Sequence, residues 1–345
     1  MLAKVGIVGC GKISRAYLRT LTTIGREALE VAACADLREE AARERAKEFG
    51  IPRVMTVEAL LGEPEIGFIA NLTIPEAHFE VSKAALDAGK HVYTEKPLAL
   101  SIGEARALHA LAKERGVMLS CAPDTLLGSG PQGARQLMDS GRIGTPASAF
   151  AQIFMGNTLG PHYLRRAVGS WLDMAPYHIG ALVHLLGPAV RVCGLGTRPE
   201  IRHPDREPFV PEAHARAGAV LEFASGPLAL VSTQSYGPFY LPRFEVFGDK
   251  GTLACPDPNQ FAGEFLLDGE PIPAPEGVTP FEGDKLRGAG LIEMAQALRE
   301  GRDCRLNADF SLHCAEVLLA VHTSMESGHH VPIESTCQRP DPFND

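Results

Sequence analysis

The fold is decided by the stretch KVGIVGCGKIS, residues 4–14. Its apolar start, residues 4–9, is typical of a short buried strand, and KISRAYLRTL, residues 12–21, is typical of a helix. Gly9 and Gly11 fall at the turn between them. Gly9 allows the tight turn, and Gly11 lets an anion approach the backbone at the helix N-terminus. The turn therefore predicts a pyrophosphate site.

The rest of the loop and the next strand extend this prediction. Ser14 replaces the third glycine of the usual pattern and is small enough for close packing of helix on strand. Lys12 and Ile13 complete the loop and are predicted to line the cofactor. Asp36 closes the second predicted strand, where an acidic residue can bind the adenosine ribose. Its charge favours NAD over NADP, while Arg38 leaves NADP open; Asp36 could instead cap the following helix.

Strand and helix patterns alternate through residues 1–122, the predicted first domain. Besides the first strand, we predict strands at 30–36, 66–73, 90–95 and 117–122, separated by helices at 38–50, 75–89 and 101–116. The alternation indicates an α/β fold with a doubly wound parallel sheet. Asn71, Thr73 and His78 come at or after the end of the third strand and are predicted to lie beside the cofactor. Asn71 and Thr73 could also be simple turn residues.

The second domain is predicted over residues 123–309 and 329–345. Runs of strands with short turns indicate an α+β domain with an open-faced, mostly antiparallel sheet. The helix at 310–328 is predicted to pack back on the first domain. Stretches 198–216 and 262–288 are rich in Pro, Gly and charge and are interpreted as long loops.

One strand of this domain also indicates assembly. In LALVSTQS, residues 228–235, both alternating faces begin with apolar residues. A sheet covered by helices on one side and by a neighbouring subunit on the other would have this pattern. We therefore expect a homodimer or homotetramer formed through the open sheet face.

Composition narrows the class of protein. The formal net charge of −9 argues against a general affinity for nucleic acids or anionic membranes. Eight scattered cysteines without metal-site spacing predict free thiols in a reducing cytoplasm, and no metal. The first residues already have a strand pattern, so we expect no signal peptide. The apolar region at 179–196 is interrupted by His184, Pro188 and Arg191, so we expect no membrane span.

The stretch VYTEKPLAL, residues 92–100, ends a predicted strand with two opposite charges and a proline. Glu95 and Lys96 could be an ordinary turn pair, with Pro97 ending the strand. The alternative is that Lys96 points into a cleft at the carboxyl end of the parallel sheet, where such folds bind ligands.

Several of these stretches together resemble the Gfo/Idh/MocA family of oxidoreductases, in the expected order over nearly the whole chain. They are VGIVGCG, Asp36, NLTIPEAH, ALDAGKHVYTEKPLA and SWLDMAPYHIGALVHLLGP. The Glu-Lys-Pro element is the most specific of them. The resemblance implies a Rossmann domain followed by an open-faced antiparallel sheet, an NAD or NADP cofactor, and sugar or polyol substrates. It also implies a cis Lys96–Pro97 peptide bond.

The resemblance implies catalytic roles as well. Lys96 would hydrogen-bond the substrate hydroxyl and stabilise negative charge on its oxygen; Glu95 would pair with a cofactor or backbone donor, or balance charge. Relatives often have an aspartate followed four residues later by a histidine, but here Asp173 is followed by Tyr177. Tyr177 is our predicted proton donor and acceptor, because Lys96 and an oxidised nicotinamide favour the phenolate. His178 is the alternative, and it faces another direction since a helix turns about 100° per residue.

Further substrate contacts are expected around these residues. Asp173 would hold substrate hydroxyls or orient Tyr177, and it could also cap the helix. Trp171 is predicted to narrow the pocket or stack on a sugar ring. His162, Tyr163 and Arg165 lie in a stretch that should border the same pocket.

Three functions are compatible with these residues. The first is an NAD(P)-dependent dehydrogenase or reductase acting at a carbinol carbon of a sugar, cyclic polyol or derivative. The second is a catalytically silent regulator that senses the dinucleotide, and retention of Lys96, Asp173 and Tyr177 speaks against it. The third is redox-assisted glycoside cleavage, which would release no NADH. The sequence leaves the substrate and the direction of the reaction open.

Overall fold

The computed structural model describes residues 2–155, 168–203, 206–235 and 239–343. The chain divides into two compact units. The first unit comprises Met1–Leu127 and Gly283–Leu312, and the second comprises Gly128–Glu282 and His313–Asp345.

The first unit is built on a five-stranded parallel sheet. Its strands are β1 (Ala3–Val8), β2 (Leu29–Ala35), β3 (Phe68–Asn71), β4 (His91–Thr94) and β5 (Leu119–Cys121). They lie in the order β2-β1-β3-β4-β5, and every pair is parallel. This confirms the predicted doubly wound sheet. The direction of winding reverses between β1 and β3, so ligands of such a sheet bind outside the carboxyl ends of those strands.

The helices begin and end close to where their sequence signals lie. They are α1 (Ser14–Leu21), α2 (Glu39–Phe49), α3 (Val57–Gly62), α4 (His78–Asp87), α5 (Ile102–Arg115), α6 (Ser129–Asp139), α7 (Gly169–Leu186), α8 (Ala289–Glu300) and α9 (Ala308–Ser327). Gly50, with φ 68°, ends α2 in the left-handed conformation, as its position in the sequence predicted. Ser101 and Glu104 form a capping box that begins α5.

The second unit contains a nine-stranded sheet. Its strands are β6 (Pro146–Phe154), β7 (Ala189–Thr197), β10 (Arg216–Phe223), β11 (Leu228–Gln234), β12 (Leu241–Gly248), β13 (Thr252–Ala254), β14 (Phe265–Leu267), β15 (Glu270–Ile272) and β16 (Val331–Pro332), while β8 (Ile201–His203) and β9 (Arg206–Phe209) form a separate hairpin. The order is β15-β14-β13-β12-β6-β11-β10-β7-β16. Among the strand pairs that the structure describes in this sheet, β6–β11 alone is parallel, which confirms the predicted mostly antiparallel sheet.

Helix α7 covers one face of this sheet. It packs on β6, β10 and β11, and all its side chains except that of Tyr177 are buried. Alternate residues of the strands point toward the helix, as Ala219, Leu221 and Phe223 do on β10. The helix is therefore enclosed on nearly every side, which is typical of a core helix.

The interpretation of 198–216 and 262–288 as long loops was wrong, because each contains a short hairpin. Strands β14 and β15 are joined by Asp268 and Gly269, whose φ angles are 54° and 86°. An Asp-Gly pair with positive φ at both residues is the two-residue turn that antiparallel strands favour.

Three further findings bear on the predictions. The Lys96–Pro97 peptide bond is cis, as the resemblance implied. All eight cysteines are free thiols. Among the helices that the structure describes, none combines the length and apolar content that crossing a membrane requires.

Candidate active site

The glycine loop after β1 has the two properties that its sequence predicts. Gly9 has φ 97°, and a Cβ atom there would lie 2.5 Å from the carbonyl oxygen of Leu72, so only glycine fits. A Cβ atom on Gly11 would meet nothing within 4 Å. Gly11 therefore leaves open space beside the loop, where another molecule can approach the backbone.

The start of α1 offers unpaired donors at this opening. Ile13 precedes the helix without a side-chain cap. Among the described residues, the backbone N–H groups of Gly11 and Lys12 have no hydrogen-bond acceptor. Such N–H groups, together with the helix dipole, favour an anion. The loop thus fits the pyrophosphate of a dinucleotide.

Asp36 lies directly beside the loop. Its carboxylate accepts hydrogen bonds from the backbone N–H of Cys10 and of Arg38, both at 2.8 Å. The N-cap of α2 is Arg38. The alternative prediction, that Asp36 caps this helix, was therefore wrong. Each carboxylate oxygen keeps a second acceptor site, which a ribose hydroxyl can use.

Exposed apolar side chains surround the same edge of the sheet. Leu37 is 100% exposed, Ile74 is 50% exposed and Ile13 is 37% exposed. They follow β2, β3 and β1 respectively. Side chains of this kind supply apolar contacts for planar rings. Leu37 and Ile74 were missed in the sequence because a single apolar residue after a strand gives no periodic signal.

Asn71 and His78 use their polar atoms inside the chain. The Asn71 amide donates to the carbonyl of His78 and to Ser82, each at 3.0 Å, and its oxygen accepts from the hydroxyl of Thr73 at 2.6 Å. The buried His78 ring bridges the carbonyls of Pro97, at 2.7 Å, and Thr73, at 3.3 Å. These residues therefore shape the loop after β3 and connect it to the peptide that follows Lys96.

Lys96 follows β4. At the usual strand spacing, β4 lies about 10 Å from β1, because one strand, β3, separates them. The side chain of Lys96 is half-buried. Its backbone N–H donates to Glu95 Oε2 at 3.0 Å, and Glu95 Oε1 accepts from the Tyr17 hydroxyl at 2.8 Å. Glu95 is 9% exposed. A buried carboxylate with two such donors holds the turn that carries Lys96 in one conformation.

Tyr17 was not predicted as a site residue. It lies on α1, is fully buried, and packs at a tilt against Tyr93 with ring centroids 6.0 Å apart. Burial, followed by the Glu95 carboxylate, raises the pKa of Tyr17 well above its usual value, so it stays a donor. In the sequence it reads as one more apolar position of an amphipathic helix.

A second buried carboxylate supports this region. Asp124 accepts from the backbone N–H of Gly288 at 2.6 Å and of Gly290 at 3.4 Å, and Arg287 lies 3.6 Å away. Burial raises the pKa of Asp124, and Arg287 opposes this shift. Within the first unit, Asp124 therefore fixes the start of α8 to the segment that follows β5.

In the second unit, Asp173 and Tyr177 lie one turn apart on α7. Residues at this spacing share a helix face. Asp173 is 8% exposed, while Tyr177 is half-buried and is the residue of α7 that reaches the surface. Tyr240 is electrostatically coupled to Tyr177 and donates to Asp257 at 2.5 Å. Tyr240 is therefore a neighbour of Tyr177 that the sequence did not indicate, and Asp257 accepts the hydrogen bond of its hydroxyl.

The structure places Trp171 and His178 in the core of the second unit. The Trp171 ring is 1% exposed and its N–H donates to the carbonyl of Leu318 at 2.9 Å, which leaves no ring face for a sugar. His178 is fully buried, edge-on to Phe244 with ring centroids 6.1 Å apart. Burial lowers its pKa to about 4. Of these two neighbours on α7, Tyr177 is partly exposed and His178 is not. His162, Tyr163 and Arg165 lie outside the described residues.

The buried His178 predicts a pH-dependent stability. Its pKa is about 4 in the folded state and about 6.5 when unfolded. The unfolded chain therefore binds the extra proton first, and the free energy of unfolding falls as the pH drops from about 6.5 to about 4, on the order of 3 kcal/mol for this residue. We expect His178→Leu to show a shallower loss in that window by urea denaturation. His330→Leu, at an exposed histidine, should match the wild type; a variant His178→Leu with the full wild-type slope would contradict the prediction.

Together, the doubly wound sheet and the open glycine loop are typical of a Rossmann-type dinucleotide-binding domain. Residues 3–122 match the family model described as oxidoreductase family, NAD-binding Rossmann fold, and residues 132–254 match the GFO/IDH/MocA C-terminal domain. The chain belongs to the Gfo/Idh/MocA family, as its sequence resemblance predicted.

Individual relatives are more distant. The chain is 33% identical to the 1,5-anhydro-D-fructose reductase of Ensifer adhaerens over 158 residues, 46% of each protein, so that the match spans about half of that relative. It is 25% identical to the myo-inositol 2-dehydrogenase of Thermotoga maritima over 260 residues, 72% of this chain and 74% of the relative. Among solved structures, an NAD binding oxidoreductase from Klebsiella pneumoniae superposes with a TM-score of 0.83 over 97% of this chain and 99% of that one, at 20% identity, which shows the fold alone.

Proposed function

We propose that the protein is an NAD-dependent oxidoreductase that acts at a carbinol carbon of a sugar, cyclic polyol or derivative. The observation that carries the proposal is the position of Lys96. This half-buried residue follows β4 at the carboxyl edge of the sheet, and Glu95 and Tyr17 hold the turn that contains it. The relatives named above act, by their names, on an anhydro-sugar and on an inositol.

The cofactor would be held by the chain's own loop and strand ends. The loop Gly9–Ser14 would bind the pyrophosphate, Asp36 would accept the ribose hydroxyls, and the exposed apolar residues at the same edge would contact the rings. A carboxylate at the ribose favours NAD over NADP because it repels a 2′-phosphate. When bound, NAD supplies the hydride acceptor, or NADH the donor.

The chain supplies the polar chemistry. We propose that the Lys96 ammonium donates to the reacting oxygen of the substrate and stabilises the negative charge that develops on it. Tyr177 would take the hydroxyl proton during oxidation and return it during reduction. Asp173, on the same helix face, would hold a neighbouring hydroxyl or orient Tyr177.

A panel of sugars, anhydro-sugars and inositols, tested with NAD and with NADP, checks this proposal. We expect reduced nicotinamide to accumulate with at least one polyol and NAD, and more slowly with NADP. Binding of the dinucleotide with no turnover on any substrate would favour a silent regulator instead. Cleavage of a glycoside without accumulation of NADH would favour the redox-assisted reaction.

We further propose that copies of the chain assemble as a homodimer or homotetramer through the uncovered face of the nine-stranded sheet. Large apolar side chains point away from α7 on this face: Leu195 is 77% exposed, Leu230 50%, Leu228 46% and Val220 43%. Val220 and Leu230 lie directly opposite each other on β10 and β11. Exposed apolar surface of this kind is typical of a protein interface.

A charge on this face should disrupt the assembly. We expect Leu230→Lys to lower the mass measured by sedimentation velocity, because a lysine would have to be buried against the partner without a counter-charge. The matched control is Leu298→Lys, since Leu298 is 44% exposed on α8 in the first unit. The control should keep the wild-type mass. A monomeric wild type, or an unchanged Leu230→Lys, would rule the interface out.

A further inference from the structure

The loop Gly9–Ser14 departs from the usual pattern at Ser14, and the structure shows what accompanies the change. Ser14 is fully buried. Its hydroxyl donates to the carbonyl of Gly11 at 2.7 Å and accepts from Arg45 Nε at 3.1 Å. The serine therefore connects the glycine loop to a charged residue of α2.

The Arg45 guanidinium contacts the backbone carbonyl groups of the loop as well as Ser14. It is only 8% exposed, and its Nη2 lies 3.3 Å from the carbonyl oxygen of Cys10 and 3.4 Å from that of Gly11. Its Nη1 pairs with Glu48, which also accepts from the exposed Arg15 at 3.0 Å. Burying a guanidinium is costly unless it is paired and hydrogen-bonded, and here each of its nitrogens has a partner.

These contacts act on the side of the loop opposite to its free donors. Arg45 binds the carbonyl of the Cys10–Gly11 peptide and that of the Gly11–Lys12 peptide. The N–H groups of the same two peptides have no acceptor among the described residues. A cation on a carbonyl polarises its peptide and makes the N–H a stronger donor. Asp36 also holds the loop, by accepting a hydrogen bond from the N–H of Cys10.

We propose that Arg45 is a positioning residue for dinucleotide binding, which orders the loop through Ser14 and two carbonyls and strengthens its N–H donors toward the pyrophosphate. This inference rests on the dinucleotide site of the proposed function and not on the reaction or its substrate. It predicts that Arg45 affects ligands in proportion to their pyrophosphate contacts.

The test is a binding series with three ligands. NADH is titrated by its fluorescence, and ADP-ribose and adenosine are measured by competition with it. Arg45→Met keeps the apolar stem of the side chain and removes the charge. We expect it to weaken NADH and ADP-ribose about 10- to 100-fold, as for loss of a charge-assisted contact, and adenosine, which lacks phosphate, by less than about 2-fold. Arg45→Lys should lie between, because one ammonium cannot span Ser14 and both carbonyls.

Two variants control for indirect effects. Arg15→Met removes the other partner of Glu48 at an exposed position and should leave all three affinities unchanged. Ser14→Ala should weaken the same two ligands, and less than additively in combination with Arg45→Met, since both break one contact chain. If Arg45→Met folds poorly, the same binding series can be measured with Ser14→Ala and Arg45→Lys.

The outcomes separate the inference from the proposed function. Equal weakening of adenosine and ADP-ribose by Arg45→Met would show a merely structural role and overturn the inference. So would unchanged NADH affinity in a variant that folds. If the wild type bound neither NADH nor ADP-ribose, the dinucleotide site itself would fail, and the inference with it.

Discussion

Replacing Lys96 with alanine is expected to slow turnover at least about 100-fold, the scale of losing a group that stabilises charge or moves a proton in the transition state. The fold should survive, because Glu95 accepts a hydrogen bond from the backbone N–H of residue 96, and alanine keeps that N–H. The bond between Tyr17 and Glu95 also remains. Steady-state rates of NADH formation with the best polyol of the panel measure the effect.

The Lys96→Ala variant should still bind NADH with an affinity close to that of the wild type, since the substitution leaves intact the loop that we propose binds the pyrophosphate. Lys83→Ala is the matched control: Lys83 lies on α4, where it pairs with Asp87 at the surface, and its loss should change neither rate nor affinity. Near-normal turnover in Lys96→Ala would remove the lysine from the mechanism.

Replacing Gly11 with valine is expected to abolish dinucleotide binding, with a loss of at least about 100-fold, or roughly 3 kcal/mol. A side chain there would project into open space in the free protein, so the thermal midpoint should hardly change. The valine side chain would, however, occupy the space through which the pyrophosphate would come close to the backbone. NADH fluorescence titration and thermal unfolding, measured on the same sample, separate the two effects.

Two other glycines give this prediction its controls. Gly9→Ala should destabilise the fold itself, because of the φ of 97° and the close carbonyl of Leu72. Gly103→Ala, within α5 and with nothing near its Cβ position, should leave both binding and folding intact. Tight NADH binding by Gly11→Val would show that the dinucleotide binds elsewhere.

The fold could be predicted from the sequence because its signals are local. Alternating strand and helix patterns, and glycines at helix ends such as Gly50, each act within a few residues. The hairpin at Asp268 and Gly269 was also signalled, by its Asp-Gly pair, but the Pro- and Gly-rich surroundings led us to interpret the stretch as a loop.

The supporting residues of the site could not be predicted, because they depend on contacts distant in sequence. Tyr17 bonds Glu95, Arg45 reaches the glycine loop, and Asp124 binds the segment at Gly288. Each occupies a position that is ordinary in its own element. The orientation of Trp171 and His178 could not be predicted for another reason. Almost every residue of α7 is buried, polar ones included, so the sequence pattern does not show which face is exposed.

The most direct test of the central claim is a crystal structure of the protein with NAD and a polyol from the panel. We predict that the pyrophosphate lies on the loop Gly9–Ser14 and that Lys96 Nζ lies about 3 Å from the oxygen of the carbon facing the nicotinamide. A Lys96 side chain directed into solvent, or a dinucleotide bound away from this loop, would contradict the account.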